Sequence, residues 1–376
     1  MTEHDSFLKQ AYEVIATLST LRRALSMKLA SKCLRYGVHG DPRKVLQMET
    51  IEVDLNVQPD EVIVRWLASP VNPLDINKIE GKYPMRPEYP AVGGSEGVGI
   101  VEKVGNAVRF LKPGDHVVSF NLTNAIWSQF AVMSEDSVVK VRSDLSVALA
   151  CTLMINPPTA YIMLKHFVDL APGDFVIQNA ANSAVGRCVI EIARALNFKT
   201  INIVRDRPEI NALKSELKTL GADYVFTEEE FAKNNAMIIK SIGSAPRLAL
   251  NGVGGRSALA ICAPMGYGGV LVTYGAMGKR PIELLTANFI FKNMKAYGIA
   301  VGAWMLKHRE ESAKILEELQ DLMVKGKISP PPMQQVPLDQ YAVAIDRTIA
   351  GGHKKQLLVL HEDVIVERSY NSKCKI

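Results

Sequence analysis

Two textures of apolar and polar positions divide the chain. Between residues 34 and 154, short apolar stretches alternate with Gly and Pro punctuation, which predicts strands at 44–54, 61–69, 91–104 and 116–120 in a mostly antiparallel domain. From Pro172 onward, apolar strands alternate with helical stretches, the pattern of a parallel sheet with crossover helices. This pattern predicts strands at 175–178, 200–204, 223–226, 248–251 and 269–274, a helix at 185–196, and a helix at 310–325 that Gly326 ends. Pro330, Pro331 and Pro332 break the chain before a helix at 338–349 and a strand at 356–360. Spacing alone leaves open which domain this last segment joins.

Length sharpens the division: 376 residues exceed the roughly 100 to 200 of a single core, so two domains and a cleft are expected. A content of 48% hydrophobic and 22% charged residues is that of a globular protein. No apolar run reaches the roughly 18 residues needed to span a bilayer, so no membrane insertion is expected. Five cysteines (Cys33, Cys151, Cys188, Cys262, Cys374) are scattered without CxxC spacing, which gives neither a disulfide framework nor a thiolate zinc site.

The net charge of +5 is uneven: residues 1–35 hold six basic side chains (Lys9, Arg22, Arg23, Lys28, Lys32, Arg35) against three acids (Glu3, Asp5, Glu13). The remaining charge is spread thinly and gives no footprint for nucleic acid. From Val14 to Gly40 there is no acid, while Ser, Thr, Leu and Arg recur as in a basic amphipathic helix. Residues 1–32 thus read as a mitochondrial presequence or a disordered extension, with folding expected to begin near Cys33.

The segment from Gly173 to Arg205 has the order of a dinucleotide unit: apolar strand, small-residue turn (Asn179, Ala180, Ala181, Asn182, Ser183, Ala184, Val185, Gly186), helix, second strand. A helix N-terminus there aims backbone N–H groups at a pyrophosphate. Only Gly186 is a glycine where the usual fingerprint has three. Ala and Ser can stand in where close approach is needed, but are not expected where φ must be positive.

The end of the second strand adds chemistry. NAD-specific enzymes place an acid there for the ribose 2′-hydroxyl, whereas NADP enzymes use arginine. Here it reads Val204-Arg205-Asp206-Arg207-Pro208, two guanidiniums suited to a 2′-phosphate, with Asp206 expected to be paired between them. NADPH is favoured, and a solvated charged loop is the other reading. Loops at 251–255, 274–277 and 298–301 also fall where strands of such a sheet end.

Several runs together resemble the medium-chain dehydrogenase/reductase superfamily. Asn72-Pro73-Leu74-Asp75, Gly81-Lys82-Tyr83-Pro84, Pro90-Ala91-Val92-Gly93-Gly94-Ser95-Glu96-Gly97 and Lys112-Pro113-Gly114-Asp115-His116-Val117 are similar to its GroES-like domain. Asn156-Pro157-Pro158-Thr159-Ala160-Tyr161, Gln178-Asn179-Ala180-Ala181-Asn182-Ser183 and the Arg205 run extend the resemblance to the mitochondrial trans-2-enoyl-thioester reductases. It covers nearly all of residues 35–360.

That resemblance implies an α/β protein: a GroES-like, mostly antiparallel β domain over 33–153, completed by 330–376, and a Rossmann doubly wound parallel-sheet domain over 154–329. It implies NADPH-dependent reduction of enoyl-CoA or enoyl acyl carrier protein substrates, a homodimer built on the cofactor domain, and a place in the mitochondrial matrix. Zinc-dependent members carry a catalytic Cys and a His-Glu pair at the counterparts of the Asn72 and Ser95-Glu96 regions. This chain has neither, so a metal-free site is implied.

Carried over residue by residue, the proton donor is Tyr83; phenols with a pKa of about 10 are protonated at neutral pH and can donate directly. The cofactor contacts are Asn156, Asn182, Ser183, Ala184, Val185, Arg205, Asp206, Arg207, Tyr274, Gly275, Ala276, Met277, Ile299, Ala300, Val301 and Lys355. A buried capping amide is the alternative for Asn156. Family members often have bulky aromatics near Ile299 and Ala300, where this chain is small. Two other functions stay open at this point: an NADPH quinone or alkenal reductase, and a catalytically inactive NADPH-binding interaction protein.

Overall fold

The computed structural model describes residues 28–84, 86–121, 126–352, 354–364 and 366. Contacts divide the chain into two units, the first running up to Lys140 and regaining Val336–Ile349 and Leu358–Val364, the second spanning Val141–Gln335 and Ala350–Leu357. Residues 141–153, 330–335 and 350–357 fall within the second unit of this division. No helix among the described residues is long and apolar enough to cross a membrane.

The first unit is built on strands β1 (Lys28–Tyr36), β2 (Gln47–Asp54), β3 (Glu61–Pro70), β4 (Ala91–Val92), β5 (Val98–Val104), β6 (His116–Ser119), β7 (Phe130–Ser134) and β8 (Val138–Lys140). Strand β1 begins at Lys28, ahead of the expected start at Cys33, because it pairs antiparallel with β2 along its length from Lys28↔Asp54 to Arg35↔Gln47. Lys28, which read as part of a leader, forms a cross-strand ion pair with Glu52, and Arg35 forms another with Glu49. The rest of the expected presequence, residues 1–27, lies outside the described residues.

The expected strand at 91–104 is two strands. Between them the chain passes against the Trp127 indole so closely that a Cβ on Gly93 would sit 2.4 Å, and one on Gly94 2.5 Å, from ring carbons. Only glycine fits there. The expected strand at 44–54 likewise opens with a helical turn, Pro42–Val45, capped by Asp41. Trp66 and Trp127 are fully buried and pack with Leu34, Val62, Val64 and Leu358 into the unit's core.

In the second unit β9 (Phe175–Gln178), β10 (Lys199–Val204), β11 (Tyr224–Thr227), β12 (Leu248–Asn251), β13 (Val270–Thr273) and β15 (Lys295–Gly298) form a parallel sheet in the order β11-β10-β9-β12-β13-β15; β14 (Arg280–Ile282) lies outside it. The interior strands β9, β12 and β13 are largely apolar runs without alternation, as burial on both faces favours, whereas interior β10 alternates and buries Thr200 and Asn202. Ile177, Ile201, Ala249 and Leu271 are fully buried in its core. The chain winds outward from β9 to β10 and β11, then returns to lay β12 on the other side of β9. The gap between the tips of β9 and β12 is therefore the topological switch point, where sheets of this kind take ligands. The returning strands β16 (Met333–Pro337) and β17 (Lys355–Val359) belong to a seven-stranded sheet in the order β16-β17-β3-β5-β6-β8, with β7 on β3.

Candidate functional site

The carboxyl ends of the parallel strands gather most of the expected cofactor residues. Asn182 to Val185 follow β9, Arg205 to Arg207 follow β10, Tyr274 to Met277 follow β13, and Ile299 to Val301 follow β15. Ser183 caps the helix Ala184–Ala195, its Oγ accepting the Gly186 N–H at 3.1 Å. The first-turn N–H groups of such a helix lack intrahelical partners and favour an anion. Gly186 holds the turn tight: a Cβ there would lie 2.6 Å from the Ala181 carbonyl oxygen.

Ala180 corrects an expectation, since it takes φ 50° in the turn where alanine was not expected. Its N–H-to-carbonyl neighbours hold it there: Ser183 N–H donates to its carbonyl at 2.9 Å, and Ala181 N–H donates to Ile203 of β10 at 3.2 Å. A left-handed alanine costs on the order of 1 kcal/mol, which the surrounding turn must offset.

At the end of β10 the expected pairing is absent. Asp206 accepts the backbone N–H of Arg207 at 2.9 Å, and among the described residues neither Arg205 nor Arg207 forms an ion pair with it. The carboxylate is satisfied by the turn itself, which leaves the exposed Arg205 guanidinium uncommitted.

Two buried polar atoms near this edge have no hydrogen-bond partner: Asn156 Nδ2 and Tyr274 Oη. Asn156 is the first residue of the helix Asn156–Lys165 and does not cap it, since Ile155 holds the cap position. It lines a small cavity with Ala184 and Cys188 of the nucleotide helix and with Ser329 and Pro331. Burial pushes the Tyr274 phenol up to about 12, partly opposed by the neighbouring Ser183 hydroxyl. Lys355 opens β17, where its backbone N–H donates to the Pro332 carbonyl at 2.9 Å.

The cofactor helix carries one buried acid that the sequence reading did not single out. Glu191 Oε1 accepts the Ser329 N–H at 3.0 Å and the Ser329 hydroxyl at 2.5 Å. Burial pushes its carboxyl up to about 7 from 4.5, against the Ser329 hydrogen bonds and the Arg187 and Arg194 charges. Because the folded pKa is raised, this group's contribution to stability is complete below about pH 4.5 and is lost as pH rises through about 7. Glu191→Gln keeps the accepting oxygen and removes the charge. Its stability relative to the parent, measured by urea unfolding, is expected to improve between pH 5 and pH 8, by at most about 3 kcal/mol. A difference that stays flat with pH would contradict the assignment.

In the first unit, Tyr83 follows the helix Pro73–Ile79 through a turn at Gly81, which takes φ 73° and packs so tightly that a Cβ would lie 2.8 Å from the His39 ring. Tyr83 is half-buried, and its hydroxyl makes no hydrogen bond among the described residues. Beside this helix, Asn72 Nδ2 donates to Glu96 Oε1 at 2.9 Å and Lys78 Nζ donates to Ser95 Oγ at 3.1 Å. Burial lowers the Lys78 pKa, with Asp75 opposing.

The alcohol dehydrogenase GroES-like domain family matches residues 58–143, and the zinc-binding dehydrogenase family matches residues 184–321. A mitochondrial enoyl-acyl-carrier-protein reductase of Caenorhabditis elegans is 49% identical over 89% of this chain and 96% of its own length. The chain belongs to the mitochondrial enoyl-acyl-carrier-protein reductases. A solved complex of Etr1p with NADP and crotonyl-CoA is 33% identical, with a TM-score of 0.83 over 88% of this chain and all (100%) of that one. The Etr1p/Etr2p heterodimer of Candida tropicalis, a mitochondrial 2-enoyl thioester reductase, is 32% identical with a TM-score of 0.82, over 88% of this chain and 100% of the solved one.

One family name mentions zinc, and the residues here do not fit it. Glu96 is fully buried and engaged by the Asn72 amide rather than set beside a thiolate or imidazole. Among the described residues no group of three or more His, Cys, Asp or Glu is arranged to hold a metal ion. In this chain the side chains there bond to one another instead, Asn72 to Glu96 and Lys78 to Ser95.

Proposed function

We propose that this protein reduces trans-2-enoyl thioesters, carried on coenzyme A or acyl carrier protein, to saturated acyl thioesters with NADPH in mitochondrial fatty acid synthesis. One observation carries the reading: a single sheet edge assembles a helix N-terminus, an uncommitted Arg205 and two partnerless polar atoms, Asn156 Nδ2 and Tyr274 Oη, in a chain of this reductase family. These residues fit the cofactor. The helix start takes the pyrophosphate, Arg205 and Arg207 take the 2′-phosphate, and the Asn156 amide and Tyr274 hydroxyl supply polar contacts that the protein leaves unmade.

NADPH supplies the hydride that adds to the β-carbon of the substrate. Hydride addition leaves enolate charge on the thioester, and the α-carbon must then gain a proton. Tyr83 is the donor: its hydroxyl makes no hydrogen bond among the described residues that would compete for the proton.

The family's mitochondrial relatives support a mitochondrial location, and we place the enzyme in the matrix. A homodimer is supported by the outer strand of the parallel sheet. All four residues of β15 (Lys295–Gly298) are exposed on a sheet edge with no further strand among the described residues, and Ile282, Phe289, Ile290 and Phe291 lie exposed nearby in sequence. An apolar edge of this kind is a ready pairing surface.

The test is loss of NADPH absorbance on adding trans-2-hexenoyl-CoA to the purified protein, beside the same reaction with NADH. Consumption that favours NADPH is expected. NADPH binding without consumption, under conditions where a quinone is reduced, would replace this reading with the quinone reductase one.

A further inference from the structure

We propose that Asn179 and Asn251 are positioning residues for cofactor binding, two buried amides that lock the strand tips at the switch point and so fix Tyr274 and the loop from Gly252 to Gly255. The proposal rests on the reading that this edge takes NADPH. Asn179 follows β9, Asn251 ends β12, and both are fully buried. The Oδ1 of Asn179 accepts the Gly252 N–H at 2.8 Å. Its Nδ2 donates to Asn251 Oδ1 at 2.8 Å and to Ser257 Oγ at 3.2 Å.

Asn251 continues the chain of bonds. Its Oδ1 also accepts the N–H groups of Val253 and Gly254 at 3.2 and 3.0 Å, and its Nδ2 donates to Thr273 Oγ1 at 3.2 Å. At the other end, the Ser257 hydroxyl donates to Glu228 Oε1 at 2.6 Å, at the first residue of the helix after β11. One side-chain relay, Glu228–Ser257–Asn179–Asn251–Thr273, thus crosses the tips of β11, β12, β9 and β13. It also satisfies three loop N–H groups that burial would otherwise strand.

The relay acts on the site through Gly252. Asn179 holds this residue so close to Tyr274 that a Cβ would lie 2.7 Å from the phenolic oxygen. Loop and ring therefore have one mutual arrangement, and it is the arrangement that leaves Tyr274 Oη without a protein partner.

The amides are not equivalent, and this gives the test. Asn179→Asp removes a donor and sets an acceptor against Asn251 Oδ1. Asn251→Asp keeps the accepting oxygen for Val253 and Gly254, and the Thr273 hydroxyl can turn to donate to it. The two variants add the same charge at nearly the same place, so the difference between them reports the bonds alone. Gly252→Ala displaces the Tyr274 ring without touching either amide.

NADPH binding is measured by fluorescence titration of the full chain, with KM and kcat for trans-2-hexenoyl-CoA and the thermal midpoint alongside. Asn179→Asp is expected to raise the NADPH Kd by about tenfold, the effect of losing a buried hydrogen-bonding group, with a much smaller change in kcat and in thioester KM. Asn251→Asp falls well short of that rise, and Gly252→Ala reproduces it. A lowered midpoint with unchanged Kd in folded Asn179→Asp, or equal effects of the two aspartates, overturns the proposal. Should Asn179→Asp fail to fold, an unchanged Kd in Gly252→Ala overturns it. A parent protein that does not bind NADPH defeats the site reading itself, before any variant is compared.

Discussion

Replacing Tyr83 with Phe is expected to lower kcat for trans-2-hexenoyl-CoA by about 10²- to 10⁴-fold, the range a positioned general acid supplies. NADPH affinity should be unchanged, because the substitution leaves the sheet edge of the second unit as it is. Stability should hold as well: the ring is half-buried and its hydroxyl makes no hydrogen bond among the described residues, so its removal strands no partner. Quinone reduction by the same variant, if the enzyme has that activity, should tolerate the change, since quinones can draw protons from solvent. Steady-state kinetics with both substrates checks this. Near-parental thioester reduction in the variant would remove Tyr83 from the mechanism.

Removing both guanidiniums at the end of β10, Arg205→Ala with Arg207→Ala, is expected to weaken NADPH binding by about 100-fold or more. Each charge-assisted contact to a phosphate contributes about 1.5 to 3 kcal/mol. NADH, which lacks the 2′-phosphate, should bind the variant about as well as the parent. Arg205 should account for the larger share, because Arg207 already spends part of its donor capacity on the Arg205 carbonyl, Nε to O at 3.4 Å. Equal losses for the two cofactors, measured by titration at one fixed salt concentration, would show that the loop does not read the 2′-phosphate.

The parallel domain was legible in the amino-acid sequence for a physical reason. Each interior strand is buried on both faces, so 175–178 and 248–251 stand out as short apolar runs, and both match the observed β9 and β12 end to end. The first unit was less legible. Strand β1 carries Lys28 and Lys32, which resemble leader charges until the pairing of β1 with β2 is known. The helices Thr286–Lys292 and Val301–Lys307 escaped notice because seven residues give no sustained period.

At the site, residue types that announce their chemistry locally were visible. Arg205 and Arg207 follow a strand at the distance a dinucleotide unit requires, and the small-residue turn precedes its helix. The fine structure was not visible. Ala180 holds a left-handed φ that only its neighbours explain, and Asp206 turns to a backbone N–H rather than to an arginine. Asn179 and Asn251 are 72 residues apart in sequence and become partners only when β12 is laid beside β9. No local pattern separates such an amide from one in an ordinary turn.

The most direct test of the account follows the hydrogens. Reduction of trans-2-hexenoyl-CoA in ordinary water, with NADPH deuterated at the transferring C4 position, should give hexanoyl-CoA with one deuterium, at the β-carbon, by mass spectrometry and NMR. Unlabelled NADPH in deuterium oxide should place the label at the α-carbon instead. Deuterium from the cofactor at the α-carbon, or none in the product, would contradict hydride delivery to the β-carbon and with it the mechanism assigned to this chain.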